Sequence, residues 1–145
     1  MRLVTSLLLL SFTGLMLASC TSVQVRPLVT KDKVDLICIQ RNPAVKVDDF
    51  VMVLQRHIDA HGIASRVFDG TKPDDCHYVL TYTARRSWDF SPYLSVAHLW
   101  LQKDGRGVAS SDYHLRGKGG LALTKWQGTE AKIGPVIDKL LAGQN

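Results

Sequence analysis

The feature that most limits how this chain can fold is the way its apolar period changes along its length. Val34-Asp-Leu-Ile-Cys-Ile39 is short, apolar and rich in branched residues, which predicts a first strand ended by Asn42-Pro43. From Val47 to His61 the spacing becomes helical: Asp48 or Asp49 can cap the start, Phe50, Leu54, His57, Ile58 and His61 share one stripe, and Gly62 suits the stop. Period-two segments follow at Ile63–Phe68, Tyr78–Ala84, Tyr93–Lys103 and Val108–Arg116. The last two flank Asp104-Gly105-Arg106-Gly107, the clearest hairpin signal in the chain. Trp126, Ile133, Val136, Ile137, Leu140 and Leu141 return to helical spacing between Thr129 and Ala142, where Pro135 requires either a kink near Gly134 or a late start. The expected architecture is α+β: a mostly antiparallel sheet of four to five strands with two helices on one face, in the order β-α-β-β-β-β-α.

The amino-terminal stretch does not belong to that fold. Arg2 and an apolar run through Leu7 to Leu10, Phe12 and Leu15 to Leu17 end in Ala18-Ser19-Cys20, the layout of a secretory signal closed by small residues and a cysteine. The run is too short for a confident membrane span. The layout resembles a bacterial lipoprotein signal, which implies cleavage before Cys20 and acylation of that residue. Two or three acyl chains, at about 0.8 kcal/mol per buried methylene, hold a protein on a bilayer almost permanently. Thr21 and Ser22 follow, and the absence of aspartate there implies sorting to the periplasmic face of the outer membrane. Residues 1–19 are therefore read as signal, 20–33 as a lipid-anchored flexible tether containing Pro27, and 34–145 as one periplasmic domain.

Removing residues 1–19 from the 145 leaves 126, enough for one domain with a real core. The formal charge of +5 loses only Arg2, a balance that suits anionic headgroups without being extreme enough to imply nucleic acid. With Cys20 lipidated, Cys38 and Cys76 are the remaining thiols in an oxidising compartment, which predicts the disulfide Cys38–Cys76. The pair lacks the CxxC spacing of a redox motif, and zinc would need further ligands.

Residues able to carry chemistry are few. His57 and His61 have the i, i+4 spacing of a metal pair, but they share the stripe of Phe50 and Leu54, which favours a packed or capping role. His98 and His114 can approach across the hairpin with Asp112 nearby, without a register secure enough to build a triad. No GxSxG elbow is present, and Gly117-Lys-Gly-Gly120 lacks the spacing and following hydroxyl of a P-loop. No catalytic residue, metal or cofactor is expected.

The surface feature with more content is aromatic. Trp88, Phe90 and Tyr93 cluster around Pro92 in an expected strand connection beside Arg85 and Arg86, and Trp100 is expected on the uncovered sheet face. Such residues anchor protein interfaces, or meet headgroups at a membrane surface. The competing reading is that they fold back and close the core under arginine stems.

Cys38, the segment ending His61-Gly62-Ile63, the run Tyr82-Thr-Ala-Arg-Arg-Ser-Trp-Asp-Phe-Ser-Pro-Tyr-Leu94, and His114-Leu-Arg-Gly-Lys-Gly-Gly-Leu121 with Thr124-Lys-Trp-Gln-Gly-Thr129 resemble an uncharacterised family of small proteobacterial envelope lipoproteins of the Sbal type. The likeness covers nearly the whole mature chain and brings no catalytic residues. It leaves two expectations: a non-enzymatic envelope lipoprotein that binds a protein partner or itself through the uncovered sheet face and the Trp88–Tyr93 segment, or a handler of an anionic lipid or glycan in which Arg85, Arg86, Arg116 and Lys118 receive the charge.

Overall fold

In a computed structural model, which describes residues 21–116 and 122–144, six strands form one sheet covered on one face by two helices. The strands are β1 (Thr21–Arg26), β2 (Leu36–Gln40), β3 (Ala64–Phe68), β4 (Tyr78–Asp89), β5 (Ser91–Lys103) and β6 (Arg106–Leu115), and the helices are α1 (Phe50–Ala60) and α2 (Thr129–Leu140). The spatial order is β1-β6-β5-β4-β2-β3. The α+β class holds, but the sheet has six strands and is mixed. Pairs β1–β6, β6–β5 and β5–β4 are antiparallel, whereas β2 runs parallel to both β3 and β4.

Two differences from the sequence reading have physical causes. The segment read as a flexible tether forms β1, because its alternation of Val23 and Val25 with Ser22, Gln24 and Arg26 lets it complete the sheet against β6. Just beyond it Leu28 is fully buried, and its N–H donates to the Leu140 carbonyl at 2.7 Å. The β2–β3 pair is parallel because α1 carries the chain back over the sheet between them, and the β2–β4 pair because the connection 69–77 returns the chain again after β3.

The core lies between the helices and the covered face. Ile37 and Ile39 of β2, Leu80 and Tyr82 of β4, Ala97, Leu99 and Leu101 of β5, and Ala109, Tyr113 and Leu115 of β6 meet Phe50, Leu54 and Ile58 of α1 and Ile133, Ile137 and Leu140 of α2. Gly62, at φ 71°, stops α1 in the left-handed conformation that glycine adopts without strain. Helix α2 is regular from Thr129 through Pro135, so the late start is not used. Pro135 lies on its exposed side, where water can reach the carbonyl of exposed Ala131 that lacks its usual donor. Trp126 is not part of α2; it belongs to a short 3₁₀ helix, Leu123–Trp126.

Cys38 and Cys76 are joined, with Cα atoms 5.8 Å apart. Their sulfurs lie in a small apolar cluster with Phe68 and Val79, separate from the main core. The bridge pins the Asp69–Asp75 loop to β2, next to the edge strand β3, on the side away from the helices.

Candidate functional site

The helices leave one face of the sheet open, and the registers place on it a continuous row of polar and aromatic residues. Trp100 pairs with Thr81 on one side and Ser110 on the other; His98 pairs with Thr83 and Asp112; Val96 pairs with Arg85 and His114. Strand β1 extends these rows, setting Gln24 opposite Asp112 and Ser22 opposite His114. The Trp100 ring stacks on His98 with centroids 5.6 Å apart, and 40% of Trp100 is exposed. His98 Nδ1 is hydrogen-bonded to Asp112 across the hairpin. Asp112 is thus beside His98, whereas His114, expected to approach His98, sits opposite Val96; among the described residues no hydroxyl or thiol is hydrogen-bonded to His98 to act as nucleophile.

The β4–β5 hairpin projects past the rest of the sheet. Strand β2 accompanies β4 only as far as Leu80, and β6 ends near Val96, so Arg86 to Leu94 form a two-stranded arm. A register shift between Arg85 and Arg86, where Ser95 donates its hydroxyl to the Arg85 carbonyl at 3.0 Å, re-aims the arm. At its tip Phe90 takes φ 58°, a left-handed conformation costly for a residue with a Cβ. Phe90 is 92% exposed and Trp88 is 73% exposed.

Tyr93 departs from the expectation that grouped it with these aromatics. It is 2% exposed and faces the core side, with Lys125 Nζ 5.7 Å and Lys132 Nζ 5.6 Å from its ring centroid. Of the two readings of the aromatic segment, each holds for part of it: Trp88 and Phe90 point out, Tyr93 points in. Strand alternation, which reads through what looked like a loop, separates them.

The arm rests on the 3₁₀ helix. Lys125 Nζ lies 2.5 Å from Asp89 Oδ2 and 4.4 Å from the Trp126 ring, and Trp126 Nε1 donates to the Asp89 carbonyl at 3.2 Å. Lys132 Nζ donates to the Leu94 carbonyl at 3.0 Å and to the Lys125 carbonyl. These residues were not legible as a unit in the sequence, since the contacts span more than thirty positions. Burial lowers the Lys132 ammonium to about 8. The unfolded chain therefore holds a proton that the folded chain has lost between about pH 8 and the ordinary lysine value of 10.5, and stability rises with pH across that window. Urea unfolding of Lys132→Met at pH values through the window is expected to show that rise abolished; an unchanged rise would assign it elsewhere.

Of the candidate cations, Arg85, Arg86 and Arg116 are exposed at the end of the sheet from which the arm projects. Arg85 borders a shallow depression of about 410 Å³ with Ala44, Thr83, Ala84, Val96 and His98, while Arg116 donates to Ser22 Oγ at 3.4 Å. They do not converge on one concave pocket. Cys20 and Lys118 lie outside the described residues.

His57 and His61 lie between the helices. His57 Nδ1 is 2.9 Å from Asp138 and Nε2 is 2.8 Å from Glu130, and His61 Nε2 is 3.2 Å from the same Asp138 oxygen. They are joints between α1 and α2, facing carboxylates that the sequence places more than seventy residues away. Burial pushes the His57 imidazole down, but the hydrogen bonds and charges of Asp138 and Glu130 outweigh it, and the net shift is upward from 6.5.

No protein-family model and no curated protein sequence matches the chain. Among solved structures it is similar to the PelC dodecamer from Paraburkholderia phytofirmans, with a TM-score of 0.58 and 16% identity over 83% of this chain and 98% of that one. A point variant of the same dodecamer gives a TM-score of 0.56 at 16% identity, covering 83% and 97%. The likeness at this identity is one of fold: the chain shares the PelC subunit's architecture along almost that subunit's whole length.

Proposed function

We propose that this protein is a non-enzymatic envelope lipoprotein, anchored through Cys20 on the periplasmic side of the outer membrane, that binds a protein partner or further copies of itself through the uncovered face of its sheet. The observation that carries the reading is the open face itself, on which half-exposed Trp100 stacks on His98 beside Val96 and β1 ends the sheet as an edge strand. A flat face with an aromatic at its middle is the surface on which hot spots form, and an edge strand can accept a further strand by main-chain pairing. The likeness to the subunit of a dodecamer, one of fold, is consistent with self-association as one form of this binding. The resemblance to small envelope lipoproteins and the leader that ends at Cys20 support the address.

The test is photo-crosslinking in intact cells from position 100, compared with position 52 on the exposed side of α1. A discrete protein adduct, or a self-adduct, is expected from position 100 alone. Adducts from both positions in equal yield, or from neither, would remove the sheet face as the binding surface. The second reading, a binder of an anionic lipid or glycan, draws on Arg85 at the edge of its depression; capture of lipid or glycan lost in Arg86→Ala, with no protein adduct, would favour it.

A further inference from the structure

The strand registers bring three separately encoded features to one end of the molecule. Strand β1 begins with Thr21 opposite Leu115, β6 ends there, and in the next strands Val96 pairs with Arg85 and Leu94 with Arg86. Cys20 is covalently next to Thr21 and stays within about 3.8 Å of it, Cα to Cα, whatever its conformation. The arm from Arg86 to Phe90 projects from this same end, about 13 Å beyond the row that holds Thr21. The 3₁₀ helix braces it there through the Trp126 and Lys125 contacts to Asp89.

Exposed apolar and cationic side chains gather at this end. Trp88 and Phe90 at the tip are joined by Leu123, which is 82% exposed, and by exposed Trp126. Arg85, Arg86 and Arg116 are exposed around them. The one acid at the tip, Asp89, is already paired with Lys125, so the arginines set the sign of the charge this end presents. Phe90 holds a left-handed conformation with its ring in water, a cost the isolated domain does not offset by any contact of that ring in the core.

We propose that this end of the domain docks on a bilayer, with Trp88, Phe90, Leu123 and Trp126 entering the interfacial layer and Arg85, Arg86 and Arg116 meeting anionic headgroups. Aromatic rings concentrate at the headgroup level of membranes, and each arginine near an anionic surface adds to the attraction. A protein partner could also accept aromatics; the bilayer is favoured because the point of attachment leaves from the same end. The proposal rests on the reading of Cys20 as the lipid-bearing residue.

The test uses full-length protein purified from cells in its processed form and reconstituted in phosphatidylethanolamine and phosphatidylglycerol vesicles with brominated acyl chains. One variant keeps Trp88 as sole tryptophan (Trp100→Phe, Trp126→Phe); another keeps Trp100 (Trp88→Phe, Trp126→Phe). Trp100 is about 25 Å further along β5 than Pro92, the partner of Trp88, and serves as internal reference. Loss of Trp88 emission with Trp100 emission retained is expected, and the loss should weaken in Arg85→Ala/Arg86→Ala. Intact mass reports Cys20 independently. Acylated protein with unquenched Trp88 overturns the docking and leaves the anchor standing. Unmodified protein removes the anchor, and docking then stands or falls on whether the vesicles still quench Trp88. Crosslinking of position 88 to a protein without quenching assigns the tip to that partner and overturns the proposal.

Discussion

Replacing Cys38 and Cys76 together by alanine is expected to lower the stability of the domain by about 4 kcal/mol, the entropy that a loop of this length regains in the unfolded chain. The bridge closes 38 positions between β2 and the start of β4, and both cysteines are essentially inaccessible to solvent. The double alanine variant also empties part of the small cluster shared with Phe68 and Val79, which adds to the loss. Urea unfolding of the oxidised protein, the reduced protein and the double variant would measure it. A loss near zero in both the reduced protein and the double variant would show that the main core alone sets the stability and that the loop closes for another reason. Because Cys38 is held by pairing to both β3 and β4, reduction is expected to loosen the Asp69–Asp75 loop before the strands themselves.

The second large effect is a reversal of sign at Gly134. A Cβ added there would come within 2.5 Å of His57 Nε2 and 2.6 Å of its Cε1, so alanine must push the imidazole out from between Asp138 and Glu130. Alanine favours the helix by about 1 kcal/mol over glycine, whereas each charge-assisted hydrogen bond lost costs about 1.5–3 kcal/mol, less where solvent screens it. Gly134→Ala is thus expected to destabilise the domain, and the same change in a His57→Ala background to stabilise it by up to about 1 kcal/mol. A double-mutant cycle by urea unfolding reads both signs. Destabilisation in both backgrounds would mean that Gly134 is required by something other than the imidazole. The cycle carries its own pH signature. The folded-state value of His57 lies above its unfolded value of 6.5, so its contribution is complete below pH 6.5 and fades as pH rises through the folded value. Wild type should lose stability across that window relative to His57→Ala.

What could be read from the sequence, and what could not, divides by the range of the interactions involved. The β2-α1-β3 and β4-β5-β6 segments follow from local period, and Asp104-Gly105 makes its hairpin because φ values of 48° and 80° are available to that dipeptide. The pairing of β2 with β4 in parallel joins strands separated by the whole α1–β3 unit, which no local pattern encodes. Strand β1 was hidden because its residues are polar on one side and its neighbour Pro27 suggests a linker, yet Val23 and Val25 alternate as a strand requires. Part of the site was legible in the same way. Trp100 on the open face follows from alternation along β5, whereas the inward turn of Tyr93 depends on the arm continuing as paired strand through residues that read as a loop. The carboxylates beside His57 and the lysines around Tyr93 are long-range partners, and no spacing rule announces them.

The order of β1 has a consequence for encounter with other molecules. A domain on a long leash sweeps a hemisphere and meets partners at many heights and angles, at an effective concentration that falls as the leash lengthens. Here β1 already includes the residue after Cys20, so a molecule acylated at Cys20 would have almost no leash. If Cys20 carries acyl chains as proposed, the domain would drift sideways and spin on the bilayer with its uncovered sheet face at a nearly constant altitude. On that proposal a partner of the face would have to reach the same altitude, as membrane-bound copies of the same chain, level with one another, would do.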